Sequence, residues 1–146
     1  AWGHVSRAFA QAGAHWSTTV IWAKDQFTLG RADYQRQFEP IWYGWREGAR
    51  HHWCGERDQG DVWRLPKPDS ADLHPTMKPL PLIERTITNS SEPADRVLDL
   101  FLGSGTTVIA CERTGRSCYG VELEARYCDL ILARWASFTG QTSVRQ

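Results

Sequence analysis

The chain has 146 residues, 41% of them hydrophobic, and its 17 Lys and Arg balance 17 Asp and Glu to a formal net charge of zero. This length suffices for one hydrophobic core, but no apolar run approaches the roughly 20 residues of a membrane span, and no secretory leader is visible. The composition therefore predicts a soluble cytoplasmic domain with no membrane partner, whose overall charge gives no attraction to nucleic acid.

Two predicted strands and a helix occupy the first 45 residues. The helical pattern covers residues 4–12, and the strand patterns cover 18–23 and 38–45. In the second strand Ile41, Tyr43 and Trp45 alternate along the chain, as residues on one face of a strand do.

Aromatic residues are concentrated between positions 42 and 63. This set comprises Trp42, Tyr43, Trp45, Trp53 and Trp63. Such side chains can stack on an extruded base or on a single strand of nucleic acid, but the strand alternation favours the hydrophobic core for most of them. The surrounding stretch 48–73 is rich in Gly, Asp and Pro and is predicted to be a loop.

The cysteines give no sign of a metal site. They are Cys54, Cys111, Cys118 and Cys128, and they show no C-x-x-C spacing. We expect these thiols to be reduced, as is usual in a cytosolic protein. His51, His52 and Cys54 include metal-ligand types, but no fourth ligand lies at a familiar zinc spacing, so we expect no metal.

The second half alternates predicted helices and strands. Helices are predicted at 81–89, 107–113 and 124–138, and strands at 97–102 and 117–123. The last helix has one broad apolar face and stops at Gly140. Strands separated by helices predict an α/β layer sandwich in which helices cover both faces of a parallel sheet.

The most informative stretch is V-L-D-L-F-L-G-S-G-T-T at residues 97–107. Asp99 interrupts an otherwise apolar strand. Gly103 and Gly105 follow it and allow the backbone to turn sharply and to approach a ligand closely. Thr106 and Thr107 begin the next helix, where free N–H groups can hold a carboxylate or phosphate. The stretch therefore predicts a site for a nucleotide-like cofactor.

Two nucleotide-binding motifs compete for this loop. A P-loop needs a lysine after its last glycine, and none is present; a dinucleotide fingerprint needs Gly or Ala where Val108 stands. Glu122 ends the next strand, where a carboxylate can accept hydrogen bonds from both ribose hydroxyls. The alternative for Glu122 is an exposed glutamate at a strand end.

A hexapeptide upstream, H-P-T-M-K-P at residues 74–79, narrows the choice of cofactor. Together with F-x-G-x-G after one strand and V-E at the end of the next, it resembles the DNA amino methyltransferases that use S-adenosylmethionine. The motif order is similar to their permuted beta class. On the residues alone, Pro75 and Pro79 could instead simply fix a turn before the helix at 81–89, with Lys78 solvated.

The resemblance implies a three-layer Rossmann-like fold and methyl transfer to an exocyclic amine of adenine or cytosine in DNA. It implies that Glu122 binds the ribose and that Thr76 and Lys78 lie near the methionine carboxylate. The loop residues implied to line the methionine and adenosine parts are Asp99, Phe101, Gly103 and Gly105. The other implied cofactor residues are His74, Ser104, Thr106 and Thr107.

The family motif that holds the target amine, D-P-P-Y or a close variant, does not occur, since no two prolines are adjacent. The resemblance implies that it precedes Ala1, so residues 1–146 are predicted to be the C-terminal part of a methyltransferase domain. Residues 48–73 are predicted to be a loop or a short target-recognition insert. The alternative function is a non-catalytic cofactor-binding remnant or regulatory partner.

The same resemblance implies that a missing strand separates strand 97–102 from strand 18–23. The sheet is then expected to show a gap or a rearranged pairing there. Apolar side chains such as Val97 or Leu100 are expected to be exposed unless another chain or a swapped partner covers them. The expected partners are DNA and a polypeptide that completes the sheet, either an N-terminal segment or a second copy.

Overall fold

A computed structural model of the chain describes residues 2–68 and 77–143, which belong to two compact units. The first unit comprises residues 1–52 and 57–67, and the second comprises residues 53–56 and 68–146. The elements are α1 (Trp2–Gln11), β1 (Ala14–Thr28), β2 (Arg36–Arg46), β3 (Val62–Arg64), α2 (Leu80–Ser90), β4 (Arg96–Asp99), α3 (Thr106–Thr114), β5 (Ser117–Gly120) and α4 (Ala125–Thr139). Within the described ranges, no helix has both the length and the apolar character needed to cross a membrane.

The first unit contains a three-stranded sheet with the order β2-β1-β3. β1 and β2 are antiparallel, with Val20 opposite Ile41, whereas β3 runs parallel to β1. The sheet is therefore mixed, and the expectation of a parallel sheet is wrong for this unit. The physical reason is that β1 and β2 follow each other without a helix, and only an antiparallel pair can be joined by so short a connection.

Two tryptophans form the buried centre of this sheet. Trp22 of β1 is 1% exposed and lies opposite Trp63 of β3, which is also buried. Each indole N–H has a partner, because Trp22 donates to the Leu65 carbonyl at 2.8 Å and Trp63 to the Gly60 carbonyl at 2.9 Å. The preference for a core role is confirmed for Trp63, and β3 is a strand that the loop prediction for 48–73 missed.

Tyr43 and Trp45 share one face of β2, as their alternation predicted. Their ring centroids are 6.0 Å apart, and His51 stacks on Trp45 with a centroid distance of 4.0 Å. The Tyr43 hydroxyl and His51 Nε2 are hydrogen-bonded at 2.8 Å. These aromatic rings therefore already contact one another.

The second unit is built on the parallel pair β4 and β5, in which Val97 lies opposite Cys118. Helices α2 and α3 contribute a core of buried Ile87, Ala110 and Cys111, against which Val97 and Cys118 pack. Side chains alternate along a strand, so Val97 and Cys118 point toward these helices while their neighbours Leu98 and Tyr119 point away.

Both strands are shorter than the sequence patterns predicted. β4 ends at Asp99 rather than at residue 102, because the Asp99 carboxylate accepts the Phe101 N–H at 2.9 Å and takes that donor out of the sheet. β5 ends at Gly120 rather than at residue 123. Glu122 consequently lies beyond its strand, in the loop that leads to α4.

The outward face of this pair is apolar and open. Leu98 is 66% exposed and Leu100 is 54% exposed, and Tyr119 and Val121 are exposed beside them. Among the described residues β4 pairs with β5 and β1 pairs with β2 and β3, in two separate sheets. No direct pairing of β4 with β1 occurs among these residues, and the expected exposure of Leu100 is confirmed, whereas Val97 is partly buried because it faces the helices.

Candidate cofactor site

A glycine loop connects β4 to α3. Gly103 and Gly105 have φ of 55° and 79°, in the left-handed region that favours glycine, and the Gly105 N–H donates to the Leu102 carbonyl at 2.8 Å. α3 then begins at Thr106 without a side-chain cap. The N–H groups of its first turn have no carbonyl partner inside the helix and so suit a negatively charged ligand group.

Asp99 stabilises the loop from the β4 side. Its Oδ1 accepts the Phe101 N–H at 2.9 Å, and its Oδ2 accepts the Thr107 hydroxyl at 2.6 Å. Thr107 lies in the first turn of α3, so one carboxylate connects the end of β4 to the start of the helix. Hydrogen bonds to an ionised carboxylate are stronger than those between neutral groups, and both ends of the loop are thereby fixed.

Glu122 stabilises the same loop from the β5 side. Its Oε2 accepts the Gly103 N–H at 2.7 Å, and its Oε1 accepts the Glu124 N–H at 3.0 Å. The carboxylate therefore joins the glycine loop to the segment that leads into α4. A carboxylate has about four lone-pair positions, so one such group can accept both backbone N–H groups and ligand hydroxyls.

A pocket of about 310 Å³ opens beside the loop. Its walls come from the residues before α2, from α2, from the carboxyl end of β4 and from α3. The lining residues are Met77, Lys78, Ile83, Asp99, Phe101, Leu102, Gly103, Ser104, Thr106 and Thr107. Carboxyl ends of parallel strands are the usual ligand-binding edge of an α/β sheet, and this volume falls within the range of about 300–1,000 Å³ for ligand pockets.

Two cysteines, Cys111 of α3 and Cys118 of β5, belong to the core of this unit. Burial raises the pKa of Cys111 to about 12, with the neighbouring Cys118 thiol adding to the shift. Burial likewise raises the pKa of Cys118. Both cysteines are therefore neutral at physiological pH, and thiolate chemistry at these two residues is disfavoured.

The structure brings most of the predicted site residues together. Seven of them line the pocket: Lys78, Asp99, Phe101, Gly103, Ser104, Thr106 and Thr107. Glu122 contacts the loop rather than lining the pocket, and Gly105 faces Ile131 of α4. His74 and Thr76 lie outside the described residues.

Three apolar lining residues were not predicted. Met77, Ile83 and Leu102 complete the pocket wall. Met77 lies within the hexapeptide and Leu102 immediately precedes Gly103, so these two could have been predicted from their positions in the motifs. Ile83 gave none, because its approach to the loop depends on the packing of α2.

A family model and two curated proteins match this chain. The N6/N4 family model of DNA methylases matches residues 5–133. The Type II methyltransferase M.BglII of Bacillus subtilis is 30% identical over 142 residues, covering 87% of this chain and 37% of the relative. M2.MboI of Moraxella bovis, also a Type II methyltransferase, is 40% identical over 89 residues, covering 58% of this chain and 33% of the relative. The chain thus spans well under half the length of these curated relatives.

Among solved structures, that of the M1.HpyAVI–SAM complex matches with a TM-score of 0.76 at 26% identity. The match covers 91% of this chain and 69% of that chain. This similarity confirms the α/β, Rossmann-like methyltransferase fold.

Proposed function

Because the chain belongs to the N6/N4 family of DNA methylases, we propose that its pocket at the carboxyl end of β4 binds S-adenosylmethionine. The observation that carries the proposal is the pair of carboxylates, Asp99 and Glu122, that fix a glycine loop beside a pocket of suitable size. The M1.HpyAVI relative was solved as a complex with SAM, which supports this choice over other nucleotides.

The residues of the pocket suggest how the cofactor lies. Lys78 and the first turn of α3 offer positive charge to the methionine carboxylate. Phe101 is 88% exposed at the pocket wall and gives the adenine an aromatic surface. Glu122 accepts ribose hydroxyls while it holds the Gly103 N–H.

The reaction proposed for the whole protein is methyl transfer to an exocyclic amine of adenine or cytosine in DNA. Bound S-adenosylmethionine supplies an electrophilic methyl group, and the attacking amine nitrogen must be held by hydrogen-bond acceptors that leave its lone pair free. The 146 residues contain no D-P-P-Y motif to do this. We therefore assign the cofactor-binding part of the reaction to this chain and the amine-holding part to other residues of the working enzyme.

Calorimetric titration of the full chain tests the cofactor assignment. We expect saturable binding of S-adenosylmethionine at one site, and no comparable binding of ATP or NAD, which represent the P-loop and dinucleotide alternatives. Tighter binding of either nucleotide would overturn the assignment.

A methyl-transfer assay separates the two functions that share this site. With radiolabelled S-adenosylmethionine and DNA, we expect no transfer by the chain alone, and transfer when a polypeptide carrying D-P-P-Y is added. Cofactor binding without transfer under both conditions would instead support the regulatory remnant, the alternative favoured by the missing motif.

The open face of β4 and β5 supports a further part of this proposal. Exposed Leu98, Leu100, Tyr119 and Val121 form an apolar surface of a kind that is normally covered in a working protein. We propose that a completing polypeptide covers it. Sedimentation analysis distinguishes a second copy, which would give a dimer, from an added segment, which would leave the chain monomeric until that segment is supplied.

A further inference from the structure

Helix α4 contacts the glycine loop through two side chains that are not among the lining residues of the pocket. Ile131 packs so closely on Gly105 that a Cβ atom at that position would lie 2.7 Å from the Ile131 Cγ1. One turn further along, the Arg134 guanidinium donates a hydrogen bond to the Ser104 carbonyl. Two side chains of one helix therefore support the centre of the loop.

The peptide unit between Ser104 and Gly105 is held at both ends. Its carbonyl accepts from Arg134, and its N–H donates to the Leu102 carbonyl at 2.8 Å. Ser104 is buried. Rotation of this peptide would break both bonds, so its orientation is fixed, and the atoms of Gly103 and Ser104 that line the pocket are fixed with it.

Arg134 directs its guanidinium to the carbonyl of a loop residue rather than to a carboxylate. None of the ion pairs found among the described residues includes it. Burial lowers the pKa of its guanidinium, which means that the charge is partly removed from water without a carboxylate to compensate. Desolvation of the cation costs free energy, which the hydrogen bond to the Ser104 carbonyl has to offset, and that bond is made to the glycine loop.

We propose that Arg134 is a positioning residue for the cofactor, which acts through the Ser104 carbonyl and touches neither cofactor nor substrate. The inference rests on the proposed function of the pocket. Losing the guanidinium frees the Ser104–Gly105 peptide to rotate, and the loop then presents several orientations to the ligand. Because the cofactor binds only one of these loop orientations, its apparent affinity falls with the population of that orientation.

Three variants test this role. Arg134→Met keeps the length and apolar packing of the side chain but removes every donor, whereas Arg134→Lys restores one charged donor. Arg126→Met is the matched control, because Arg126 is an exposed arginine of the same helix that lies over the Tyr127 ring. Each variant is first compared with the unaltered chain by circular dichroism and thermal unfolding.

The primary measurement is calorimetric titration with S-adenosylmethionine. Hydrogen bonds that involve a charged group correspond to about 10- to 100-fold in an equilibrium constant, so we expect Arg134→Met to weaken binding by about tenfold or more. Arg134→Lys should recover part of this loss, and Arg126→Met should bind like the unaltered chain. Unchanged affinity in folded Arg134→Met, or equal losses in the Met and Lys variants, would overturn the proposal.

Amide NMR spectra without ligand provide a readout that does not depend on the cofactor. We expect Arg134→Met to shift or broaden the Ser104 and Gly105 amide resonances, while Arg126→Met leaves them in place. Unmoved loop resonances would overturn the positioning role. If the unaltered chain binds no S-adenosylmethionine while these resonances do move, the proposed cofactor is wrong but the control of the loop by Arg134 stands.

Discussion

Gly103 donates its N–H to the Glu122 carboxylate at 2.7 Å, across 19 positions of sequence. The bond joins the first glycine of the loop to the second residue after β5. It makes the geometry of the glycine loop depend on the neighbouring strand as well as on its own backbone. The same carboxylate accepts the Glu124 N–H, so a single side chain sets the spacing of both connections at this edge of the sheet.

Replacing Glu122 with alanine is expected to weaken S-adenosylmethionine binding by roughly tenfold or more, because hydrogen bonds to a charged group are worth about 1.5–3 kcal/mol. Glu124→Ala is the control, since Glu124 is exposed and its carboxylate pairs with Arg126 at 3.8 Å rather than with the glycine loop, in the part of the chain that the structure describes. Calorimetry compares the two variants. Equal affinities for Glu122→Ala and the unaltered chain, with both folded, would remove Glu122 from the site.

Thr107→Val is expected to lower the free energy of unfolding by about 1–3 kcal/mol. The substitution keeps the shape of the side chain but removes the hydroxyl that donates to Asp99 Oδ2 at 2.6 Å, and the carboxylate loses a partner. Thr107→Ser keeps the donor and should retain most of the stability. Urea unfolding measures both, and a valine variant as stable as the serine variant would contradict this assignment.

Gly105→Ala is expected to be more destabilising than Gly115→Ala. Both glycines have positive φ, 79° and 71°, so each alanine carries a similar backbone strain. At Gly105 the new Cβ would meet Ile131. At Gly115, within the described ranges, no atom beyond the two chain neighbours lies within 4 Å of the Cβ position. The steric term should add about 1–3 kcal/mol in urea unfolding. Equal losses would show that Ile131 moves aside without cost.

The buried thiol predicts a loss of stability at alkaline pH. The pKa of Cys111 is about 12 in the folded chain and 9.0 for an unperturbed thiol, so between these values the unfolded chain releases a proton that the folded chain keeps. The stability that the protonated Cys111 thiol contributes is complete below pH 9 and disappears as the pH rises toward 12. Cys111→Ala should therefore show a shallower decline of stability above pH 9 in urea unfolding. If the stability of Cys111→Ala and that of the unaltered chain fall equally above pH 9, the raised pKa of Cys111 is contradicted.

The order and type of the longer elements could be predicted from the sequence, because each has a clear apolar period. The α/β fold and the family follow from three short motifs, and both are confirmed. The three-residue strand β3 could not be predicted, since its pairing with β1 depends on Trp22 and Trp63 meeting in the core. Strand ends were also misplaced, because Asp99 ends β4 through a side-chain hydrogen bond that no hydrophobic pattern reveals.

The site was predicted as a set of residues, but the structure adds how they act on one another. Asp99 and Glu122 were expected to touch the cofactor, and both are already hydrogen-bonded to N–H groups of the loop segments. The supporting residues of α4 gave no sequence signal, because the contact between Arg134 and Ser104 exists only once the helix has packed.

Titration of the 15N-labelled chain with S-adenosylmethionine, followed by amide NMR, tests the central claim most directly because it locates even weak binding. The cofactor site predicts saturable shifts at Lys78, Gly103, Ser104 and Thr106, which line the pocket, with no comparable shifts when ATP is added. If these amides stay unmoved at millimolar S-adenosylmethionine in a folded chain, or if the shifts fall elsewhere, the pocket beside Gly103 is not the cofactor site.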